Sequence, residues 1–240
     1  MPSPLPDTFT PWSLAHWLVI VVTALLAILL SLLRRRLRDG GVARKLDVAF
    51  AILAAAAFVT INVWQLVSGE FTWNTALPLH VTDVTMLCVP IALWTSRRVP
   101  RAIVYYWGLA LGTFAFAIPD LHAGPARIGF WIFWTSHAVM MIAIAYELLG
   151  RGYRPGWRDF RIAAMASIAY AAMIVPFNWS TGYSYGYLGP DQPGQPALLS
   201  RFGRWPARVA PILVAGIALM ALLTLPWRVG RREPNSSRRP

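Results

Sequence analysis

The chain has 240 residues, of which 57% are hydrophobic and only 13% are charged. An average soluble domain has about 25% charged residues, so a soluble fold of this composition could not cover its own apolar surface. The formal net charge of +12 does not indicate nucleic-acid binding, because the basic residues form short clusters between long apolar runs and no nucleic-acid-binding motif is present.

Seven apolar stretches approach the length of about 20 residues that an α-helix needs to cross a bilayer core. In chain order they are residues 14–33, 46–67, 77–95, 102–118, 128–149, 160–177 and 207–227. The predicted fold class is therefore an all-α membrane protein, a bundle of seven transmembrane helices. We expect a single transmembrane domain over residues 1–227 and a basic, disordered tail over residues 228–240.

The distribution of basic residues predicts how the bundle is oriented. Eighteen arginines and lysines fall in the first, third and fifth connections and in the C-terminal tail, whereas four fall on the other side. Cytoplasmic loops carry the excess of Lys and Arg, so we expect the N-terminus outside and the C-terminus in the cytoplasm. The Arg- and Ala-rich composition favours a bacterial protein, which places it in the inner membrane as a multi-pass protein.

Ionisable side chains inside a membrane are costly unless they are paired or hydrated, so each one is a candidate functional group. His80 and Asp83 lie three residues apart at the outer start of the third helix, hence on one face, where the carboxylate can fix the imidazole tautomer. His137 lies about 13 Å into the fifth helix at 1.5 Å per residue, and we expect it to make an interhelical hydrogen bond. The structural alternatives are a helix-capping pair for the first two and a helix-joining histidine for His137.

Further polar groups fall on the same predicted outer side. Asp120 and His122 follow the fourth helix, and Asn178 ends the sixth and opens a 29-residue loop, residues 178–206. Loops of this length are usually functional or disordered, and the aromatic residues of this one, including Tyr183 and Tyr185, favour a packed cap over the bundle.

This convergence predicts one polar cavity under the cap, lined by His80, Asp83 and His137. A retinal protein is excluded because a Schiff base needs a lysine within a helix, and the only lysine, Lys45, lies at a helix start. Three histidines and Asp83 have the ligand types of a metal site, but no close ligand spacing supports one, so we expect no metal and no cofactor.

The order of these motifs resembles that of a known family. The motifs are Pro78-Leu79-His80-x-x-Asp83, Pro119-Asp120, Ser136-His137, Asn178 with Gly182-x-x-Tyr185, Pro196-Ala197-Leu198-Leu199 and Gly203-x-Trp205-Pro206. From about residue 77 to residue 227 they resemble the YwaF-like bacterial integral membrane proteins, whose animal relatives include transmembrane protein 164. That relative is described as an acyltransferase that acts on phospholipid through cysteine and histidine.

The resemblance implies catalytic roles by position. His80 and His137 match the histidines of the family, and Asp83 matches its acid. The family often has a cysteine where this chain has Thr82, and Cys88 lies six residues deeper. A hydroxyl is a poor nucleophile unaided, so Thr82 could act only with a base, for which His137 is better placed than His80.

Two classes of function fit these residues. The first is a phospholipid acyltransferase or acyl hydrolase in the outer half of the bilayer, with Asn178 and Tyr185 as oxyanion donors. The second is a non-enzymatic transporter or small-molecule binder that uses the same cavity to bind ligand or relay protons. Membrane lipids are the expected partners, and the sequence does not define the oligomeric state. The catalytic candidates are His80, Thr82, Asp83 and His137, and the substrate-binding candidates are Asp120, Asn178, Tyr183 and Tyr185.

Overall fold

A computed structural model describes residues 5–37, 39–67, 72–73, 77–192 and 197–229 of the chain. Apart from one isolated bridge between Thr8 and Ala123, these residues form only helices, turns and loops, which confirms the all-α fold class for them. Most of the predicted disordered tail and the motif residue Pro196 lie outside the described ranges. Residues 228 and 229 of that tail belong to a short helix.

Seven helical rods, α1 to α7, coincide with the seven apolar stretches within the described residues. The helices α1, α2 and α3 are Leu14–Arg36, Gly40–Val67 and Val81–Thr95. The rod α4 joins Arg98–Ile103, a π-helical turn at Val104–Gly108, and Leu109–Ala117. The rod α5 joins Ile128–Ala145 and a π-helical turn at Tyr146–Gly150. The helices α6 and α7 are Trp157–Thr181 and Val209–Thr224, followed by a short α8 at Pro226–Val229.

The helix surfaces are arranged as lipid requires. In α1 the leucines face outward, and Leu14, Leu25 and Leu29 are 76%, 61% and 61% exposed. Interfaces between membrane helices are enriched in small and weakly polar residues, whereas a soluble helix would bury its leucines. The α1 residues buried against the bundle are His16, Thr23, Ala27 and Ser31.

Among the residues that the structure describes, four helical segments are long and apolar enough to cross a membrane. They are Leu14–Arg36, Gly40–Val67, Ile128–Gly150 and Trp157–Thr181, and the apolar helices Val81–Thr95 and Val209–Thr224 are shorter. The chain is therefore a multi-pass membrane protein. The count of seven spans and the orientation stay predictions.

Five helix starts differ from the predicted positions, by two to six residues, and two of these differences concern buried polar groups. The third helix begins at Val81, four residues later than expected, because Leu77 and Leu79 form a tight turn whose N–H···O distance is 2.7 Å. The second helix begins six residues earlier, at Gly40, so Asp47 lies about two turns inside the helix, where it is only 3% exposed. A carboxylate can be buried in this way only if cations and hydrogen-bond donors surround it.

A cluster of ion pairs surrounds Asp47 where α1 ends and α2 begins, an end of the bundle that we call the charged end. The Asp47 carboxylate pairs with Arg34 of α1 at 2.8 Å and accepts a hydrogen bond from the Tyr146 hydroxyl of α5 at 2.6 Å. Arg151, just after α5, lies 3.5 Å from the same carboxylate. Asp47 therefore connects α1, α2 and α5.

Two more buried carboxylates complete the charged end. Glu147 of α5, 3% exposed, pairs with Arg101 of α4 at 2.6 Å and also with Arg151. Asp159 of α6, fully buried, receives two hydrogen bonds from Arg98 of α4 at 2.7 and 2.9 Å. Five of the seven rods thus meet through ion pairs.

Replacing Asp47 with Asn should destabilise the folded protein by roughly 3 kcal/mol, because the remaining buried cations lose their countercharge. The free energy of unfolding in mixed detergent micelles measures the effect. The matched control is Asp7→Asn, because the ion pair of Asp7 with Arg127 is about two-thirds exposed and its loss should cost at most about 1 kcal/mol. Equal losses in the two variants would show that the charged end stabilises the bundle no more than a surface pair does.

Candidate functional site

A cavity of about 370 Å³ lies at the end of the bundle opposite the charged end, here called the cavity end. Its walls come from α2, α3 and α5, from the loop before α5 and from the loop after α6. Its polar lining residues are Gln65, His80, Thr82, Asp83, Asp120, Ser136, His137 and Tyr187. The structure therefore brings His80, Asp83 and His137 around one cavity, as the sequence predicted.

The imidazole of His137 is held in one tautomer by its own helix. Its Nδ1 atom lies 2.7 Å from the carbonyl oxygen of Phe133, four residues earlier in α5. A carbonyl oxygen can only accept, so Nδ1 carries the proton and Nε2 keeps a lone pair. The prediction that His137 makes an interhelical hydrogen bond is wrong, because its ring N–H donates to a carbonyl of the same helix. His137 is thus a buried base on the cavity wall, and the helix-joining alternative is not observed.

His80 is held in the opposite tautomer by the cap loop. The residue precedes α3 at the N-cap position, and its Nδ1 accepts a hydrogen bond of 3.4 Å from the backbone N–H of Gly186. Its ring also packs on the ring of Tyr185 with centroids 4.8 Å apart. Neutral His80 therefore carries its proton on Nε2, whereas neutral His137 carries its proton on Nδ1.

Asp83 has a role that differs from the expected one. Its carboxylate accepts a hydrogen bond of 3.0 Å from the backbone N–H of His80 and so caps the first turn of α3. The expectation that Asp83 fixes the tautomer of His80 is wrong, because the amide of Gly186 does so. The capping alternative holds for Asp83, although its side chain still lines the cavity.

The proposed oxyanion donors do not reach the cavity. The Asn178 amide is fully buried and exchanges two hydrogen bonds of 2.9 and 3.1 Å with the backbone of Tyr185. The Tyr185 hydroxyl donates to the carbonyl of Trp73 and accepts from the N–H of Leu77 at 3.3 Å. Neither residue lines the cavity, and their polar atoms instead tie the cap loop to α6 and to the segment before α3. Tyr183 does not line the cavity either, and its ring packs against the ring of Tyr185.

The described part of the cap loop is packed as expected. It contains two short 3₁₀ turns, Tyr185–Tyr187 and Ala197–Phe202. The guanidinium of Arg208, only 1% exposed, pairs with Asp191 and donates to the carbonyl of Gly189 at 2.7 Å. A basic residue that the sequence showed only as a topology signal therefore anchors the loop.

Asp120 lies on the cavity rim together with a tyrosine that the sequence did not single out. The Tyr187 hydroxyl lies 3.3 Å from the Asp120 carboxylate and donates to it. Burial and the neighbouring Asp120 charge raise the pKa of Tyr187 to about 12, so the phenol stays protonated at neutral pH. The pair connects the loop before α5 to the cap loop.

The candidate nucleophiles differ in position. Thr82 lines the cavity, but among the described residues its hydroxyl makes no hydrogen bond to either imidazole. Cys88 is half-buried and lies outside the lining. Ser136 lines the cavity and donates its hydroxyl hydrogen to the Phe133 carbonyl at 2.8 Å.

The N-terminal segment holds the rim of the cavity, which the sequence did not reveal. The N–H of Phe9 donates to the carbonyl of His122 at 2.8 Å, and the N–H of Gly124 donates to that of Asp7 at 2.8 Å. A Cβ at Gly124 would overlap the backbone of this segment. His122 therefore contributes its backbone to the rim, and its side chain is not part of the lining.

A fourth histidine, His16, was also missed. It is fully buried in α1 and accepts a hydrogen bond of 3.0 Å from the N–H of Trp12. The rings of Phe9 and Trp134 pack on it with centroids 5.5 and 5.1 Å away. It belongs to an aromatic cluster beside the cavity and does not line the cavity.

Gly186 is required by both its backbone and its surroundings. Its φ of 63° lies in the left-handed region, and a Cβ there would overlap the hydroxyl of Tyr170, which itself donates to the carbonyl of Leu79 at 2.7 Å. Gly182 is a natural comparison, because its φ of 76° is similar but nothing lies within 4 Å of its Cβ position.

Gly182→Ala should therefore cost about 1 kcal/mol of backbone strain, whereas Gly186→Ala should cost clearly more and weaken the contact with His80. Thermal unfolding of the two variants, compared with the parent protein, gives the difference. Adding Tyr170→Phe to Gly186→Ala removes the overlapping oxygen and should recover part of the loss. If both glycine variants lose the same stability, packing against Tyr170 is not what excludes a larger side chain at Gly186.

Comparison with known proteins assigns the chain to a family. The model of the TMEM164 family matches residues 11–224. No curated protein and no solved structure matches the chain. The matched segment contains all seven rods α1 to α7 and every residue that lines the cavity. Because the match covers most of its length, the chain belongs to the TMEM164 family.

Proposed function

We propose that the protein is a membrane enzyme that transfers or hydrolyses the acyl groups of phospholipids in the cavity, with His137 as general base. The observation that carries this proposal is the geometry of His137. Its Nδ1 donates to the Phe133 carbonyl, so Nε2 keeps a lone pair, and the residue lies on the cavity wall. A base held in this form before the substrate arrives needs no change of tautomer to accept a proton.

The walls of the cavity suit an ester between a polar and an apolar part of a lipid. The polar groups of His80, Thr82 and Asp83 form the side contributed by α3. Apolar side chains of α2 and α5, including Ile61 and Ile132, form much of the rest. A phospholipid ester joins a polar headgroup region to an acyl chain, so such a cavity can hold both parts.

The first turn of α3 supports the same chemistry. Val81 and Thr82 line the cavity, and the first N–H groups of a helix have no intrahelical acceptor. Such N–H groups stabilise the negative oxygen of a tetrahedral intermediate. In this proposal they replace Asn178 and Tyr185 as oxyanion donors.

The finer placement of the protein is also part of the proposal. The sequence resembles the YwaF-like bacterial branch of this family, and an animal relative is described as a phospholipid acyltransferase. With seven spans and the basic excess on the cytoplasmic side, the charged end faces the cytoplasm of a bacterial cell. The cavity then opens toward the outer half of the inner membrane.

His137→Ala should lower the rate of acyl release or transfer by about 10²- to 10⁴-fold, the usual contribution of a general base. The assay follows fatty acid and acyl-exchange products by mass spectrometry, with purified protein in phospholipid micelles. His122→Ala is the matched control, because that imidazole lies outside the lining, and thermal unfolding shows that both variants are folded. Unchanged turnover in His137→Ala rules out this role. Gradient-driven uptake into proteoliposomes without acyl products would instead assign the cavity to a transporter.

The orientation has its own test. A fluorescent protein fused after the last residue should fluoresce, since it folds in the bacterial cytoplasm, and alkaline phosphatase fused there should be inactive. The opposite pair of results is expected for fusions within the loop after α6. Phosphatase activity at the C-terminal fusion would invert the bundle and place the cavity in the cytoplasmic half of the membrane.

A further inference from the structure

We infer that the cavity receives its lipid sideways from the bilayer: the headgroup and the reacting ester enter the cavity, while the acyl chain leaves it between α2 and α5, beside Ile61 and Ile132. The inference rests on the proposed function and adds to it the route of the substrate and the residues that select its chain. The occupant of this gap, called the lateral opening below, is the acyl chain of an intact membrane phospholipid.

The size of the cavity argues for such an opening. Its volume of about 370 Å³ lies near the lower end of the range of about 300–1,000 Å³ of pockets that hold drug-sized ligands. A diacyl phospholipid with two long chains is larger than such a ligand, so only its headgroup region and ester can be enclosed. The chains remain in the hydrocarbon of the membrane, and the cavity wall has to be open where an acyl chain passes through it.

The wall formed by α5 separates a polar rim from a deeper base. The residues of this wall are three or four positions apart and so share one face of the helix; they are Gly129, Ile132, Phe133, Ser136 and His137. Gly129 and His137 are eight residues apart, which is about 12 Å along the axis at 1.5 Å per residue. The polar groups of Asp120 and Tyr187 lie at the rim. A lipid with its ester beside His137 therefore has its headgroup toward the rim and its chain directed to the side.

One face of α2 changes its surroundings along the helix. Within Gly40–Val67 the buried residues form a single stripe that ends at Ala54. Ile61 and Gln65 lie seven and eleven residues after Ala54, which continues the same stripe, and both line the cavity. The face of α2 that packs on the bundle near the charged end therefore borders the cavity at the other end.

Both walls of the lateral opening adjoin surface that contacts lipid. Residues three or four positions apart are neighbours on a helix surface, and Ile132 has Ile128 and Thr135 at these distances. Ile128 is 46% exposed and Thr135 is also exposed. On α2, Trp64 lies three residues after Ile61 and is 39% exposed. An acyl chain thus passes from the bilayer to the apolar side chains of the cavity wall without crossing a charged surface.

Photolabelling tests the position of the chain without any need for turnover. The probe is a phospholipid with ether-linked chains, which cannot be hydrolysed, and with a diazirine close to one ether bond. The protein is irradiated in bilayer nanodiscs that contain the probe, and the adducts are located by peptide mass spectrometry. Ser136 and His137 are each only 8% exposed, so an adduct of whole-lipid mass on either residue shows a chain inside the cavity. Adducts confined to exposed residues such as Val63 and Trp131 overturn the inference.

A tryptophan in the lateral opening should block the chain. Ile61→Trp should lower kcat/KM for a long-chain diacyl phospholipid by at least about tenfold, as a poor fit in an apolar pocket does, and it should lower the cavity labelling to a similar extent. A dibutanoyl phospholipid, whose short chains do not span the opening, should lose less than about threefold. Val63→Trp is the matched control, because Val63 lies two residues further on the opposite face of α2 and is 49% exposed to lipid.

The outcomes separate this inference from the proposed function. Equal losses for the two lipids in Ile61→Trp, or the same loss in Val63→Trp, show that the chain does not pass between α2 and α5. Acyl products without cavity labelling leave the proposed function intact and defeat the lateral opening. Cavity labelling that Ile61→Trp abolishes, with no acyl products from any phospholipid, supports the lateral opening and defeats the proposed function.

Discussion

Ion pairs made by three buried carboxylates hold the helices of this protein in register at one end. Asp47, Glu147 and Asp159 are almost fully buried, and each is paired with arginine from another helix or loop. In surroundings of low polarity a carboxylate left without its cation is strongly destabilising. The pairs therefore select which helices can be neighbours, a choice that apolar contacts between lipid-like side chains would leave poorly defined.

The same pairs fix the depth of the reactive groups at the other end. Glu147 and His137 lie ten residues apart on α5, so at 1.5 Å per residue they are about 15 Å apart along the axis. Arg151 also donates to the carbonyl of Ala92 at 3.3 Å, near the end of α3, the helix that begins beside His80. Anchoring both helices at the charged end thus sets the distance across the cavity between their opposite ends.

The sequence predicted the helices and part of the site, for physical reasons that also explain what it missed. A bilayer sets the length of the apolar runs that cross it, and helical periodicity places His80 and Asp83 on one face. The helices and this pair could therefore be predicted from short stretches of sequence. The hydrogen-bond partners of buried polar groups could not be predicted in this way, because those of Asn178 depend on how the cap loop folds back onto α6. Glu147 and its companions were overlooked because acids inside basic clusters add little to topology signals. These three carboxylates in fact pair with four of the eighteen arginines and lysines that predicted the orientation.

The cap formed by Asp83 changes how mutagenesis at that residue must be interpreted. Its carboxylate accepts from the N–H of His80, so removing the side chain frees the first turn of α3 and shifts an imidazole on the same wall. In an Asp83→Ala variant the displaced backbone and the lost negative charge would both change activity, and the assay could not separate the two effects. Asparagine keeps an oxygen acceptor for that N–H while abolishing the negative charge, and it is the replacement that separates the two contributions.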